Sequence, residues 1–484
     1  MGLVWSLSES VQFQQGLRSN VAVWGDGLAL WETALAEIGV LVGSGPGQQL
    51  NGEAWNSAKT LFMDRVLPIV STGLTACSWL VFHLNSYSGF VQPLIEKASY
   101  LDEDALRATI DTLNGEISAL ARAHSGFSRY GPDAQIGQLR AQVEQIQDVI
   151  DSLVLFNQQV TGLFNSEIAL SATMSAAVVS VSHGTISASG VYVPPPGDKE
   201  AWVQGLVDYD STHPRDPKPV FDPSGQYGGN QELLYRDWNS MPESEKKEII
   251  SFIRGYYPDL STDDIRNVIG QMTKSGCGYI ADVNSILAHF ANDPAGFQGK
   301  FGFPLYKPDG TPNFNLLFTT FWCYVQFSRG IDPTGDSKKT PDGIFPTGGG
   351  YLKDFLQDHH VVVKTSSVGW ATIADYDRMS RTAGTVTISG NPTILYDMNG
   401  ATVPAQAVGG HAMVVTGQGT ETSGRQYLVV SSWGKQYKLY PDVYGRGKKY
   451  DTDGDGQYDA IDLNGDGKPD PVEKYFTMEV ITYG

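Results

Sequence analysis

The stretch SGCGYIADVNSIL, residues 275–287, places a cysteine between two glycines at the start of an amphipathic helical pattern. The glycines permit a sharp turn, and the apolar residues that follow recur at helical spacing. A thiol attacks as its thiolate, which a helix N-terminus and a nearby imidazolium both favour. A lone cysteine is more often a small, inert core residue. Two interpretations of Cys277 are therefore open: a nucleophile at a helix N-terminus, or an apolar residue at a tight turn.

The partner of a reactive Cys277 must come from a distant part of the chain, because catalytic residues are adjacent in space rather than in sequence. Among the eight histidines, His411 heads the strand-like pattern GGHAMVVTG directly after two glycines. His289 lies too far along the predicted Cys277 helix to reach the thiol. His359 and His360 sit in a polar segment typical of a surface. His411 is therefore the candidate base.

The residues around this pair predict an α+β domain. PESEKKEIISFIRGYY and STDDIRNVIGQM read as short helices, and Ser261 with Asp264 matches a capping box. After about residue 385, four segments alternate or run β-branched residues between turn residues. These segments are TVTISG, HAMVVTGQG, QYLVVSSWG and FTMEVITYG. Helices followed by antiparallel strands are typical of an α+β domain.

The first part of the chain reads as helical. Apolar residues from Ile136 to Ile168 follow steps of three, four or seven, and a second such stripe covers residues 101–123. An elongated helical bundle or hairpin fits this pattern, and a coiled-coil spacer is the alternative. Residues 191–235 are rich in proline, glycine and charge, as a linker is. We therefore expect a helical domain over 1–190, a linker over 191–235 and an α+β domain over 236–484.

Composition excludes several classes of function. Asp and Glu outnumber Lys and Arg by 53 to 34, a net charge of −19, which argues against binding to nucleic acid or to an anionic membrane. The opening MGLVWSLSES has no secretory-signal pattern, and the apolar windows are interrupted by polar residues, so we expect neither a signal peptide nor a membrane span. Three scattered cysteines form neither a disulfide framework nor a metal site.

The segment DTDGDGQYDAIDLNGDGKPDPVE, residues 451–473, predicts calcium binding. Ca²⁺ takes six to eight oxygen ligands, which alternate carboxylates on a tightly wound loop supply around a glycine bend. The first loop would use Asp451, Asp453, Asp455, Gln457 through its carbonyl, Asp459 and Asp462. The second would use Asp462, Asn464, Asp466, Lys468 through its carbonyl, Asp470 and Glu473. A solvated acidic loop is the alternative. The shared Asp462 resembles thrombospondin type 3 or dockerin-like repeats, and we expect a structural staple on an insertion in the sheet.

The N-terminal part resembles the LXG domain of toxins exported by the type VII secretion system. The likeness covers roughly residues 1–190: the triplet Leu50-Asn51-Gly52, the following Trp55 and Ser57-Ala58-Lys59, and a long C-terminal helix. It implies signal-peptide-independent export by the type VII machinery. It also implies small helical proteins that bind this domain for targeting.

Residues 236–484 resemble a papain-like cysteine peptidase. The order is Gln271, then Cys277 opening a helix, then Gly410-His411-Ala412, then Ser431-Ser432-Trp433-Gly434. The resemblance implies that Cys277 attacks a carbonyl, that His411 activates the thiol, and that Gln271 and the Cys277 N–H bind the oxyanion. The family usually has Asn where this chain has Ser431, so Ser431 is the expected partner of His411. Trp433 would shield that bond from water.

Together the two resemblances imply a secreted antibacterial toxin, delivered into a target cell, calcium-stabilised and neutralised in its producer by a cognate immunity protein. Its substrate would be a protein or peptide. A papain-like fold also supports deamidation, transglutamination or cleavage of peptidoglycan cross-bridges. A non-catalytic extracellular adhesion protein that uses its calcium module is the alternative from another class.

Overall fold

The computed structural model describes most of the chain. The described residues are 2–42, 53–123, 133–189, 191–195, 201–274, 276–335, 350–369, 371–382, 384–390, 395–401, 403, 410–441, 449–450, 460–461 and 476–483. The chain divides into two compact units, Met1–Pro217 (unit 1) and Lys218–Gly484 (unit 2). The segment expected as a linker, 191–235, is shared between them. Its first part carries a helix of unit 1, Ala201–Thr212, and its second part opens unit 2.

Unit 1 is helical, as its apolar periodicity predicts. Its helices are α1 (Leu7–Val42), α2 (Glu53–Leu61), a π-helical turn (Phe62–Val66), α3 (Leu67–Ile95), α4 (Glu103–Ala123), α5 (Asp133–Val160), α6 (Asn165–His183) and α7 (Ala201–Thr212). Its strands are short antiparallel pairs: β1 (Val4–Ser6) with β2 (Tyr100–Asp102), and β3 (Thr185–Ile186) with β4 (Tyr192–Val193).

The apolar stripes of unit 1 bury themselves in pairwise helix packing. Helix α1 packs on α3, and α4 packs on α5. Leu35 of α1 joins Leu74 of α3 in one buried cluster. The stripe expected to run without a break from Ile136 to Ile168 is interrupted, because Gly162 takes a left-handed φ of 82° between α5 and α6. The apolar residues keep the same spacing on both sides of the break, so the sequence pattern does not reveal the break.

The LXG-like signature lies mostly outside what the structure describes. Leu50, Asn51 and Gly52 are outside the described residues, as is GSGPGQ at 43–48. Ser57 is described: it is buried in α2, and its hydroxyl accepts a hydrogen bond from the backbone N–H of Tyr192. That contact joins α2 to β4.

Two helical stretches in the described part of unit 1 have the length and composition of a membrane span, Ser57–Ile95 and Ala134–His183. More than half of the apolar window in Ser57–Ile95 is buried, 56%, whereas in Ala134–His183 the buried share is 22%. Burial of this extent in Ser57–Ile95 is what a core helix of a bundle also has.

Unit 2 is an α+β domain, as expected. Its helices are α8 (Leu233–Asp237), α9 (Glu243–Tyr256), α10 (Thr262–Met272), α11 (Cys277–Phe290), α12 (Pro294–Phe301), α13 (Phe314–Ser328), α14 (Tyr351–Asp358) and α15 (Ile373–Met379). Its strands are β5 (Val363–Gly369), β6 (Gly384–Gly390), β7 (His411–Thr420), β8 (Gln426–Ser432), β9 (Lys435–Leu439), β10 (Lys449–Tyr450), β11 (Ala460–Ile461) and β12 (Phe476–Tyr483). Ser261 and Asp264 form the predicted capping box at the start of α10.

Six strands form one sheet in the order β5-β12-β6-β7-β8-β9, with every neighbouring pair antiparallel. Helix α11 packs against β6 and β7. Alternate residues of β7 point to opposite faces. Met413 and Val415 enter the large apolar cluster of the sheet, whereas Ala412 and Val414 meet Ala281 of α11. The sheet therefore positions β7 directly beside the helix that begins at Cys277.

The predicted calcium loops lie in an insertion between β9 and β12, and their ligand positions are outside the described residues. At the edges of the first loop, β10 and β11 pair antiparallel, Lys449 with Ile461 and Tyr450 with Ala460. In the described part of the chain, no group of three or more His, Cys, Asp or Glu could hold a metal ion.

Candidate active site

Cys277 is the first residue of α11, as its sequence context predicts, and its side chain is only partly exposed. The preceding residue, Gly276, has to be a glycine because there is no room for a side chain. A Cβ on Gly276 would lie 2.7 Å from the carbonyl oxygen of Met272 and 2.8 Å from Cβ of Gln231. The Cys277 side chain packs on a small apolar cluster that includes Ala281 and Ala412. The nucleophile candidate therefore sits between its own helix and the strand that carries His411.

His411 is the first residue of β7 and contacts the last residue of β8 and the turn that follows it. Its ring stacks on the indole of Trp433, with centroids 4.0 Å apart and 5° between the planes. Its Nε2 lies 2.7 Å from the hydroxyl of Ser432. Trp433 and Gly434 form a two-residue turn between β8 and β9, with φ of 48° and 72°. Positive φ at both positions suits a tight hairpin, and it places the indole over the imidazole.

One small cavity brings the two candidates together. Its lining includes Cys277, His411, Ser432, Trp433, Asn284 and Gln231. The cavity volume is about 10 Å³, about enough for a single water molecule. Cys277 and His411 therefore line the same cavity.

Ser431, the residue expected to orient His411, also lines the cavity, but its hydroxyl does not bond the imidazole. Its hydroxyl donates to the carbonyl of Tyr227 at 2.7 Å, and Ser432 takes the place at the imidazole instead. The register explains the difference. Ser431 pairs with Val414, so it shares the face of the sheet that α11 covers, whereas Ser432 lies on the opposite face with His411.

Gln271, the expected oxyanion donor, does not line the cavity. It lies in α10, and its Nε2 donates to the carbonyl of Thr334 at 3.1 Å. Gln231, which precedes α8, lines the cavity instead, and its Nε2 donates to the carbonyl of Thr273 at 3.0 Å. A glutamine from a segment that the sequence assigned to a linker thus lines the cavity, whereas Gln271 does not.

Burial moves both candidate groups toward their neutral forms. Desolvation raises the pKa of the Cys277 thiol, although the backbone N–H groups of Ala412 and Gly278 act in the opposite direction. Desolvation lowers the pKa of His411 to about 4. A thiol and a neutral imidazole are therefore the favoured ground state of the site, rather than a preformed thiolate–imidazolium pair.

Two further residues of the site were missed from the sequence alone, Gln231 and Asn284. Asn284 lies two turns after Cys277 on α11, and it is almost fully buried. Its polarity within the apolar run YIADVNSIL was the available signal. Gln231 offered no comparable signal, since it follows a Gly-Gly-Asn turn in a polar stretch.

Comparison of the chain with known protein families, with curated proteins and with solved structures finds no match.

Proposed function

We propose that unit 2 is a papain-like cysteine peptidase with Cys277 as nucleophile and His411 as general base and acid. The observation that carries the proposal is the shared cavity, in which a cysteine opens a buried helix and a histidine is held by Ser432 and Trp433. A nucleophile, a base and a group that orients the base are the three parts that amide hydrolysis by a thiol needs.

The hydrogen bond at Nε2 accommodates the working tautomer of His411, because the Ser432 hydroxyl can accept as well as donate. For Nδ1 to accept the thiol proton, Nε2 must carry the hydrogen and donate it to the Ser432 hydroxyl. The indole of Trp433 covers this bond on one side of the ring. Ser432 is therefore proposed as the positioning residue of the base, in the role that Ser431 was expected to fill.

Acylation begins with proton transfer, because both groups are neutral in the ground state. Nδ1 of His411 takes the proton as the Cys277 sulfur bonds to the carbonyl carbon, and the oxygen becomes an oxyanion. The C–N bond then breaks, and His411 gives its proton to the leaving amine. Water, deprotonated by His411, hydrolyses the thioester and returns the thiol.

The oxyanion would be bound by the Cys277 N–H at the free end of α11 and by a glutamine amide. Gln231 is the proposed side-chain donor, because it lines the cavity and its Nε2 has a second hydrogen beyond the one given to Thr273. Gln231→Ala is expected to lower the rate by about 100-fold, the usual loss for one oxyanion donor. Gln271→Ala serves as the comparison, with a smaller loss.

Expression of the chain in a sensitive bacterium tests the enzymatic proposal. Cys277→Ala and His411→Ala should abolish toxicity, while the matched controls Cys323→Ala and His359→Ala should retain it. Cys323 is fully buried in α13, and His359 is half-buried just after α14, where its ring packs on Phe301 and Phe355 rather than on the cavity. Equal toxicity of Cys277→Ala and the parent would end the proposal. Mass spectrometry of target proteins separates proteolysis, which gives new termini, from deamidation, which adds about 1 Da.

We further propose, from the LXG resemblance, that unit 1 directs type VII export of the toxin and binds small helical partner proteins. An exposed apolar face on α1 supports a docking role. Trp24 and Trp31 stand seven residues apart, on the same side of α1, and are 52% and 57% exposed; exposed aromatic surface of this kind marks interaction sites. The double variant Trp24→Ser/Trp31→Ser should reduce export into the medium, whereas Val178→Ser on α6 should not.

The calcium loops are proposed to hold ions that tie the insertion to the sheet, a structural role. Their donor set is almost entirely carboxylate and carbonyl oxygen, which suits Ca²⁺. Extracellular calcium would then stabilise the exported form, and an immunity protein would protect the producer.

A further inference from the structure

Asn284 lies where three parts of the candidate site meet. It stands seven residues after Cys277 on α11, so it lies on the same side of the helix two turns below the thiol. Only 1% of its surface is exposed, and its side chain lines the cavity. Its Oδ1 accepts a hydrogen bond from the Gly229 N–H at 2.7 Å, and its Nδ2 lies 3.5 Å from the Ser431 hydroxyl.

The segment that contains Gly229, residues 220–231, is a strap across the site. The Tyr227 N–H donates to the Gly434 carbonyl at 3.0 Å, and the Gly434 N–H donates to the Gly229 carbonyl at 3.0 Å. The Asn230 amide donates to the Trp433 carbonyl at 3.0 Å. These three hydrogen bonds hold the strap on the turn whose Trp433 indole stacks on His411.

The strap also reaches the two elements on which Cys277 rests. The Phe221 ring packs on the apolar cluster that contains Ala281 of α11 and Ala412 of β7, and Cys277 packs on the same cluster. The Tyr227 hydroxyl lies 2.6 Å from Thr416 of β7. The strap therefore contributes to the burial that raises the thiol pKa.

Asn284 and Gly228 fit each other closely. Gly228 has a φ of 76°, and a Cβ there would lie 2.8 Å from Nδ2 of Asn284 and 2.3 Å from the Ser431 hydroxyl oxygen. Any other residue at 228 would push the strap away from α11 and β8. The contact between the strap and the helix thus depends on an asparagine on one side and a glycine on the other.

We propose that Asn284 is a positioning residue for the nucleophile and base: it fixes the strap and β8 on α11, and so sets His411 and Ser432 against Cys277. For its effect on rate the inference rests on the proposed peptidase function. For its effect on the thiol it does not, because the reactivity of Cys277 can be measured without any substrate.

The inference predicts opposite changes in two measurements for Asn284→Ala. A loosened strap exposes the thiol to water, which lowers the thiol pKa and speeds alkylation by iodoacetamide at pH 8 by about threefold or more. The same loosening misplaces the base, so kcat on labelled casein falls by about 10–100-fold while KM stays within about twofold.

Asn313→Ala is the matched control. Asn313 is also a buried asparagine of unit 2, and its amide donates to the Pro304 carbonyl at 3.3 Å, away from the cavity. It should lower stability without changing the alkylation rate or kcat. Asn284→Asp, of nearly the same size, keeps the acceptor for Gly229 but cannot donate to Ser431, and it covers the case in which Asn284→Ala does not fold.

A double-mutant cycle with Gly228→Ala tests the route through the strap. Each single change should speed alkylation. The double variant should react only slightly faster than either single variant, because both changes break the same contact between the strap and α11. Fully additive effects on the logarithm of the rate would overturn the inference, as would alkylation profiles of Asn284→Ala and Asn284→Asp that match the parent.

The positioning role of Asn284 and the peptidase function of unit 2 are tested by different outcomes. If the parent does not cleave casein but Asn284→Ala alters alkylation as stated, the positioning role stands and the peptidase proposal fails. If the parent cleaves casein and Asn284→Ala behaves as Asn313→Ala does, the peptidase proposal stands and the positioning role fails.

Discussion

The imidazole of His411 and the indole of Trp433 lie face to face, 4.0 Å apart and within 5° of parallel. Trp433 holds this place from a left-handed backbone with a φ of 48°. That conformation costs about 1 kcal/mol or more for a residue other than glycine. The stack thus excludes water from one face of the candidate base, and the strained backbone of Trp433 is what it costs.

Trp433→Ala should return the His411 pKa toward its ordinary value. Burial lowers that pKa from 6.5 to about 4, and the indole is the largest side chain covering the ring. Without it, water stabilises the imidazolium, and the acid limb of any pH–rate profile moves upward. NMR titration of the imidazole measures the change. Trp24→Ala, at an exposed site in unit 1, should leave the His411 titration where it is.

Ser432→Ala should lower kcat by about tenfold or more with little change in KM, because it removes the acceptor that holds the Nε2–H tautomer of His411. Steady-state kinetics on labelled casein measure the loss. Ser423→Ala, in the exposed turn between β7 and β8, is the control. Ser432→Asn, which restores an amide acceptor, should recover more activity than Ser432→Ala. An unimpaired Ser432→Ala enzyme would contradict the assigned role.

The alkylation rate of Cys277 should rise with pH, and it should do so at a higher pH than for an ordinary cysteine. Burial raises the thiol pKa above 9.0, so the thiolate is scarce at pH 7 and its fraction grows only at more alkaline pH. Iodoacetamide labelling followed by peptide mapping measures the rate at Cys277 alone, since Cys77 and Cys323 are buried. A rate that is already at its plateau at pH 6 would indicate a preformed ion pair instead.

Unit 2 should lose stability as the pH falls from 6.5 to about 4. His411 and His289 both have a folded-state pKa lowered to about 4 by burial. In that window the unfolded chain binds two protons that the folded chain does not, so stability rises with pH by at most about 2.7 kcal/mol per unit. Urea titrations at pH 5.5 and pH 7, with maleimide labelling of Cys323 marking unfolding, measure the difference.

His289→Phe should halve that dependence. The His289 ring stacks on Tyr483 with centroids 4.1 Å apart, and phenylalanine can keep the stack without binding a proton. His183→Ala, at an exposed position in unit 1, should leave the dependence of unit 2 unchanged. An equal pH dependence in His289→Phe and the parent would show that His289 does not contribute.

Calcium should raise the melting temperature of the chain, and a chelator should lower it. An ion that binds only the folded state adds about 2.7 kcal/mol at a hundredfold excess over its Kd. Asp462→Asn should weaken the response most, because Asp462 belongs to both predicted loops. Asp377→Asn, outside the loops, is the control. A melting temperature that is indifferent to calcium would leave the segment as a solvated acidic loop.

The sequence predicted the parts of the site that follow from local pattern. Cys277 heads a helix and His411 heads a strand because glycines and periodicity mark both starts. The assignment of Ser431 was wrong in geometry because two adjacent serines differ only in the face of the strand they occupy. Which of the two serines lies beside His411 depends on the pairing of Val414 with Ser431. That pairing joins residues far apart in the sequence, so no local pattern contains it.

Gln231 and Asn284 show a second reason for the limit. Gln231 lies in the strap and Asn284 contacts it, and a rich content of glycine and proline made the strap look like a linker. Gly228 is in fact buried against α11 and β8, where there is no room for a side chain, and Gly229 is buried tightly against α11 and α13. Glycine that permits flexibility and glycine that permits close packing have the same signature in one sequence.

The position of β12 in the sheet has a consequence for how the chain matures. Strands β5 and β6 do not pair with each other, since both pair with β12. During synthesis, the sheet that carries His411 therefore stays in two disconnected parts until residues 476–483 have left the ribosome. Helix α11 and strands β6–β9 are therefore available before the strand that joins them to β5, and the six-stranded sheet is completed only late in synthesis.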